Sequence, residues 1–344
     1  MYPVKFNTNL CLLTGALALS LLITQCRAKN EVGIIPLPVK IEDAFLHLLG
    51  QPRPVIQSQL DSVLNLDRRF TKLVSEYILG NQDSLDEKTV FEAYFTDTAR
   101  SRLRDSCVRI FRKVDWDQEV GIPLSNYHHQ FPERNIPAIY LLITDFNYGI
   151  FIFQDVEGRD AIGIGVEMFT GNTDLYDHLA LNNPNFSAYL NRTFNVDHLA
   201  SKIIQALMND LVPEPTSTRL LDHIVSEGKK LYFSRLLMPG IPDTILHEYT
   251  PAQWKWVTEN EREIWRFLLT DKLLYQSRGK EIVNLVQASP HSQGMPPEAP
   301  GRAVNYIGLK IIESLAQKEN LPAKEILNIQ NAEDILRRSR YKPR

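Results

Sequence analysis

Cysteine is nearly absent. The 344 residues hold three, Cys11, Cys26 and Cys107, so a disulfide-stapled fold is excluded. Charge of one sign is also missing. The formal net charge is −3 and no long basic block occurs, which excludes a nucleic-acid surface built on concentrated positive charge. There is no internal repeat, and low-complexity sequence is limited to one short proline-rich stretch, 288–302. No two of the eight histidines stand four residues apart, so the H-E-x-x-H pair of a zincin is absent. What is present is ordinary globular composition, 44% hydrophobic and 23% charged, enough for a sizeable core.

The longest apolar run stands near the start. Lys5 precedes "LCLLTGALALSLLI" from Leu10 to Ile23, and "TQC" follows. The run falls short of the roughly 20 residues that span a bilayer and has the form of a signal peptide. Ile23-Thr24-Gln25-Cys26 resembles a bacterial lipobox, with Gln25 where a small residue is usual. The expectation is a lipoprotein signal peptide over 1–25, acylation at Cys26 and a tether over 26–40; a plain signal with a chance cysteine is the alternative. Cleavage would remove Cys11 and Lys5, leave Cys107 as the only free thiol and give a mature charge of −4.

Beyond the tether the pattern predicts a single α+β domain over 41–344, mostly helical, with helices at 41–115 and 171–344 around a small sheet at 137–169. "DAFLHLLG" and "LDRRFTKLVSEYILG" have helical spacing and end at Gly50 and Gly80. "PAIYLLITDF", "GIFIFQ" and "AIGIGVEMF" are β-branched and aromatic runs separated by turn residues. Gly163-x-Gly165 lacks the rest of a phosphate loop and reads as close packing between strands. Residues 250–275 read as one helix opened by Thr250-Pro251, and 303–320 as an amphipathic helix. Asn331 caps a final helix with acids first and bases last, the order the helix dipole favours.

"LDHIVSEGKKLYF" (221–233) sets Glu227 and Gly228 in an apolar helical stripe, where one class of zinc proteases places a glutamate ligand. The helix suited to face it, 196–211, carries His198 and, four residues on, Lys202, a cation where a second imidazole would stand. "HEYTP" at His247 begins the motif but runs into a proline. His198 reads as a solvated or hydrogen-bonded histidine; a makeshift metal site from His198, His223 and Glu227 is the alternative. No G-x-S-x-G occurs, and Cys107 reads as a structural thiol.

Six segments match a known family in order and spacing: "EGKKLYF" (227–233), "YTPAQWKWVTENEREIW" (249–265), "DKLLY" (271–275), "ASPHS" (288–292), "PGRAVNYIGLKII" (300–312) and "SRYKPR" (339–344). On these the chain resembles the gliding motility-associated lipoprotein GldB family. Val304, Tyr306 and Leu309 stand where that family usually has glycine and tryptophans. The family resembles predicted zinc proteases that keep H-E-x-x-H, so the resemblance implies a zincin-like scaffold that has lost its histidine pair. It further implies a non-catalytic envelope lipoprotein with no cofactor and no metal ligands. Its membrane contact would run through Cys26, and its partners would be envelope proteins of a motility or secretion apparatus. Arg27, not an acid, follows the cysteine, which favours the outer membrane over the inner. A zinc metallopeptidase with atypical ligands and a periplasmic peptide-binding chaperone are the alternatives.

Glu227, Glu261 and Arg302 are charges set among apolar neighbours and should be paired. The plainer reading is a surface cap or salt bridge for each; the sharper one is that Arg302, entering its helix at Gly301, is expected to pair with Glu227 or Glu261 and fill the vacated metal position. Trp256 and Trp265 are expected in the core.

Overall fold

Two buried parallel strands set the middle of the structure, a computed structural model that describes residues 36–81, 85–215, 217–277 and 279–343. The expected signal segment 1–25, Cys26 and the tether up to residue 35 lie outside the described residues. Strands β1 (Ile41–Glu42), β2 (Ala138–Leu142), β3 (Ile150–Gln154) and β4 (Asp160–Gly165) form one sheet in the order β1-β2-β4-β3. β1 and β4 flank β2 in parallel; β3 pairs with β4 antiparallel, Ile152 opposite Ile162. β2 and β4 are apolar along almost their whole length because both faces are covered. A side chain at Gly163 would enter the ring of Phe151, so close packing explains that glycine.

The principal helices are α1 (Arg53–Leu64), α2 (Glu87–Thr96), α3 (Thr98–Phe111), α4 (Ile122–Gln130), α5 (Leu199–Leu211), α6 (Leu220–Leu237), α7 (Pro251–Glu259), α8 (Glu261–Leu269), α9 (Ala303–Glu319) and α10 (Ala332–Ser339). The fold is thus the mostly helical α+β arrangement expected. Among the described residues no helix is long and apolar enough to cross a membrane. Residues 36–40 already lie against the domain, with Leu37 N donating to Ser125 Oγ at 2.8 Å.

Local chemistry places most boundaries. Asp97 ends α2 and caps α3 by accepting from Arg100 N at 2.8 Å. Thr250 and Gln253 close a reciprocal capping box on α7. The expected single helix over 250–275 is instead α7, α8 and a 3₁₀ turn. The break falls at Asn260, whose amide bonds Trp256 O at 2.8 Å and competes with the helical ladder. Asn331 caps α10 through Asp334 N, as expected.

Phe45, Phe70, Phe91, Tyr94 and Phe95 interlock above the sheet, with Phe45 and Phe70 ring centres 5.1 Å apart. The other half of the core is built on α9. Expected as amphipathic, α9 is instead buried on nearly every side from Ala303 to Ile312, packed by α6, α8, α10 and residues 279–286. Val304, Tyr306 and Leu309 are all buried there. α6 and α9 cross backbone to backbone: a Cβ on Gly228 would strike Gly308, and one on Gly308 would strike the Ile224 carbonyl. α5 packs beside α6 and against β3, and its Ile203, Ile204, Leu207 and Met208 are buried.

Candidate functional site

Three of the segments that carry the pattern, those beginning at Tyr249, Ala288 and Pro300, meet at one place. "ASPHS" and "PGR" are joined by Ser292, a fully buried hydroxyl that donates to Pro300 O at 2.7 Å and accepts from Ala303 N. Tyr249 OH donates to Gly301 O at 3.0 Å, so the loop after residue 246 is bound to the start of α9. These contacts bring Arg302 over Glu248.

Glu248 is the centre of the site. Its side chain is 6% exposed, and its backbone takes a left-handed φ of 56°. One carboxylate oxygen faces Arg302 Nη2 at 2.8 Å and the other faces the Lys202 ammonium. Burial alone would raise this carboxyl; Lys202 and Arg302 outweigh burial and hold it down at about 2. Arg302 also has a left-handed φ, 63°, so both partners of the pair sit in a backbone region disfavoured for side-chain-bearing residues. Arg192 donates through Nη2 to the Glu248 carbonyl.

His247, next in chain to Glu248, is buried and stacked against Trp254 at 4.9 Å and Tyr249 at 5.6 Å. Burial, then the nearby Arg235, Arg302 and Lys310, lowers its imidazole to about 3, so it is neutral at physiological pH. His198 lies at the start of α5 with Nδ1 3.0 Å from Asn195 Oδ1, a hydrogen-bonded histidine; burial lowers it too, against the pull of Glu248.

Arg302 therefore does not take the acid expected for it. Glu227 is occupied by Lys230 on its own helix at 2.8 Å and touches Arg302 only through its field. Glu261 is buried and accepts from Tyr341 OH at 2.8 Å and Tyr306 OH at 3.2 Å, joining the start of α8 to α9 and to the end of the chain. Each has a nearer donor, and the ion pair goes to Glu248. His223 is half-buried on α6, one turn before Glu227. His198, His223 and Glu227 do not converge, and among the described residues no group of three or more His, Cys, Asp or Glu side chains is placed to hold a metal ion. Trp256 and Trp265 pack at the edge of the core, Trp265 edge-on to Tyr341.

The residue missed in the sequence is Glu248. Its signal was present but divided: an acid inside "HEYTP", a lysine on the face of α5, and an arginine after Gly301, separated by dozens of residues. Together they make a fixed ion-pair cluster around a desolvated carboxylate on a strained backbone. Glu248, Lys202 and Arg302 are engaged with one another.

No curated protein and no solved structure matches the chain. A family model described as gliding motility protein GldB matches residues 25–343, nearly all of it, and the chain belongs to that family.

Proposed function

We propose that this protein is a non-catalytic lipoprotein of the cell envelope, a binding or assembly component of a gliding motility or secretion-related apparatus. It is held to the outer membrane by acyl chains on Cys26, and its domain is a degenerate zincin-like scaffold. One observation carries the reading. Lys202, four residues after His198, directs its ammonium onto Glu248, so the helix position at which an i,i+4 histidine pair would need its second imidazole carries a cation locked in an ion pair. A bound divalent cation there would face Lys202, Arg302 and Arg192, and like charges at such range repel by several kcal/mol. Membership of a motility family supports the envelope assignment.

The test is affinity capture of the acylated protein from envelope, with zinc measured on the same sample. The expected result is co-purification of envelope motility or secretion proteins, with zinc far below one per chain. Stoichiometric zinc that disappears in Glu227→Ala or His198→Ala would establish the metallopeptidase instead. Capture of many unrelated unfolded envelope proteins would favour a chaperone.

A further inference from the structure

The cluster around Glu248 has a surplus of positive charge. Lys202 and Arg302 pair with the Glu248 carboxylate, and Arg192 adds a third cation at the Glu248 backbone carbonyl. Glu227, whose field reaches Arg302, is engaged by Lys230.

Arg192 is the unbalanced member. Its Nη2 bonds only a backbone carbonyl, and its Nε is buried without an acceptor. Among the described residues no carboxylate lies within ion-pair distance of it. A half-buried guanidinium without a counterion is unfavourable, and burial together with Arg302 lowers its proton affinity. The cluster is not sealed. The side chains of Lys202 and Arg302 keep 23% and 26% of their exposure, and Arg192 is half-buried, so the cluster has a solvent-facing side. The left-handed backbones of Glu248 and Arg302 hold the pair in place before anything binds.

We infer that Arg192 and Arg302, with Lys202 beside them, form a binding site for a compact oxyanion, a carboxylate or a phosphate group presented by a partner. The planar guanidinium offers parallel N–H donors that match two oxygens of either group, and such charge-assisted bonds are the strong ones. The inference rests on reading the cluster as a docking point. Glu248 then serves as the internal anion that keeps the cations together while the site is empty.

The test is a thermal-unfolding titration of the detergent-solubilised full chain with sodium acetate or sodium phosphate, each balanced with chloride to constant ionic strength. A saturable rise in midpoint of about 2–4 °C over chloride is expected for one of the two anions, and which one identifies the source. Arg192→Gln, which keeps a donor for the Glu248 carbonyl but removes the charge, should lose that rise. Should it not fold, Arg192→Lys keeps the charge without the fork and should need roughly tenfold more anion. No rise above chloride for either anion, or an equal rise in the variant, overturns the inference. That failure would leave the zinc and capture results untouched, whereas stoichiometric zinc would overturn the functional reading and leave the titration standing.

Discussion

Glu248 combines a buried carboxylate with a left-handed backbone, and both costs are met by its neighbours. The backbone conformation costs about 1–3 kcal/mol, and an unpaired buried charge would cost more. Replacing it by glutamine leaves Lys202 and Arg302 without an anion. Complete burial would make that a loss of about 3–5 kcal/mol; both cations reach solvent, so about 2–3 kcal/mol is expected for Glu248→Gln by urea denaturation at pH 7. The sign with pH follows from the lowered carboxyl. Stability from the pair is fully present above the unfolded value near 4.5 and is lost as pH falls toward about 2, so the gap between wild type and variant should close over that window. A gap that stays constant from pH 7 to pH 3 would show that the carboxylate is not held down. His247 titrates in a higher window. Its folded value of about 3 lies below the usual 6.5, so the unfolded chain takes up a proton first and stability falls as pH drops between those limits. His247→Phe keeps the stacking on Trp254 and Tyr249 and should remove up to about 1.4 kcal/mol per pH unit of that slope. Denaturation at pH 7, 6 and 5 decides it, and an unchanged slope refutes the assignment. None of this was readable from residues alone, because an ion pair spanning positions 202, 248 and 302 exists only once α5, α9 and the loop between them are placed.

At the scale of elements, what was legible followed from local chemistry. Caps at Thr250 and Asn331, left-handed glycines at Gly50 and Gly80, and strand-length β-branched runs all act within a few residues and appear where expected. What was not legible depended on neighbours. Ile41–Glu42 joins the sheet only because β2 lies alongside it. The amphipathic reading of α9 failed because four elements cover it, and no sequence period reports how many neighbours a helix has. The α6–α9 crossing gives the sharpest contrast between local and tertiary terms. By helix propensity, Gly228→Ala should stabilise α6 by about 1 kcal/mol. The new Cβ would instead meet the backbone of Gly308, which cannot rotate away as a side chain can. Overpacking costs about 1–3 kcal/mol, and against rigid backbone the upper end applies, so after the propensity gain of about 1 kcal/mol a net destabilisation of about 2 kcal/mol is expected. A thermal melt of Gly228→Ala measures it. A midpoint at or above wild type would mean that the two helices can separate freely.

For the whole molecule, the question is whether the sheet-bearing half and the α9-centred half fold as one. Bonds and rings cross between them. Asn126 on α4 donates to Leu237 O on α6 at 2.8 Å, and Phe131 meets Phe233 edge-on at 5.9 Å. α5 packs against β3 on one side and α6 on the other. The buried apolar residues of both halves form one continuous cluster, from Phe45 to Ile335. A chain of this size can unfold in stages when its parts share little apolar contact. Here neither half could be exposed without stripping cover from the other, so one cooperative transition is expected. Trp254, Trp256 and Trp265 report on the α9 half and Trp116 on the other, so a Trp116→Phe protein gives emission from the α9 half alone. Its urea midpoint by emission should coincide with that by far-ultraviolet circular dichroism, which averages both halves. Midpoints separated by more than about 0.3 M would show two units instead, and would free the Glu248 cluster to loosen independently of the sheet.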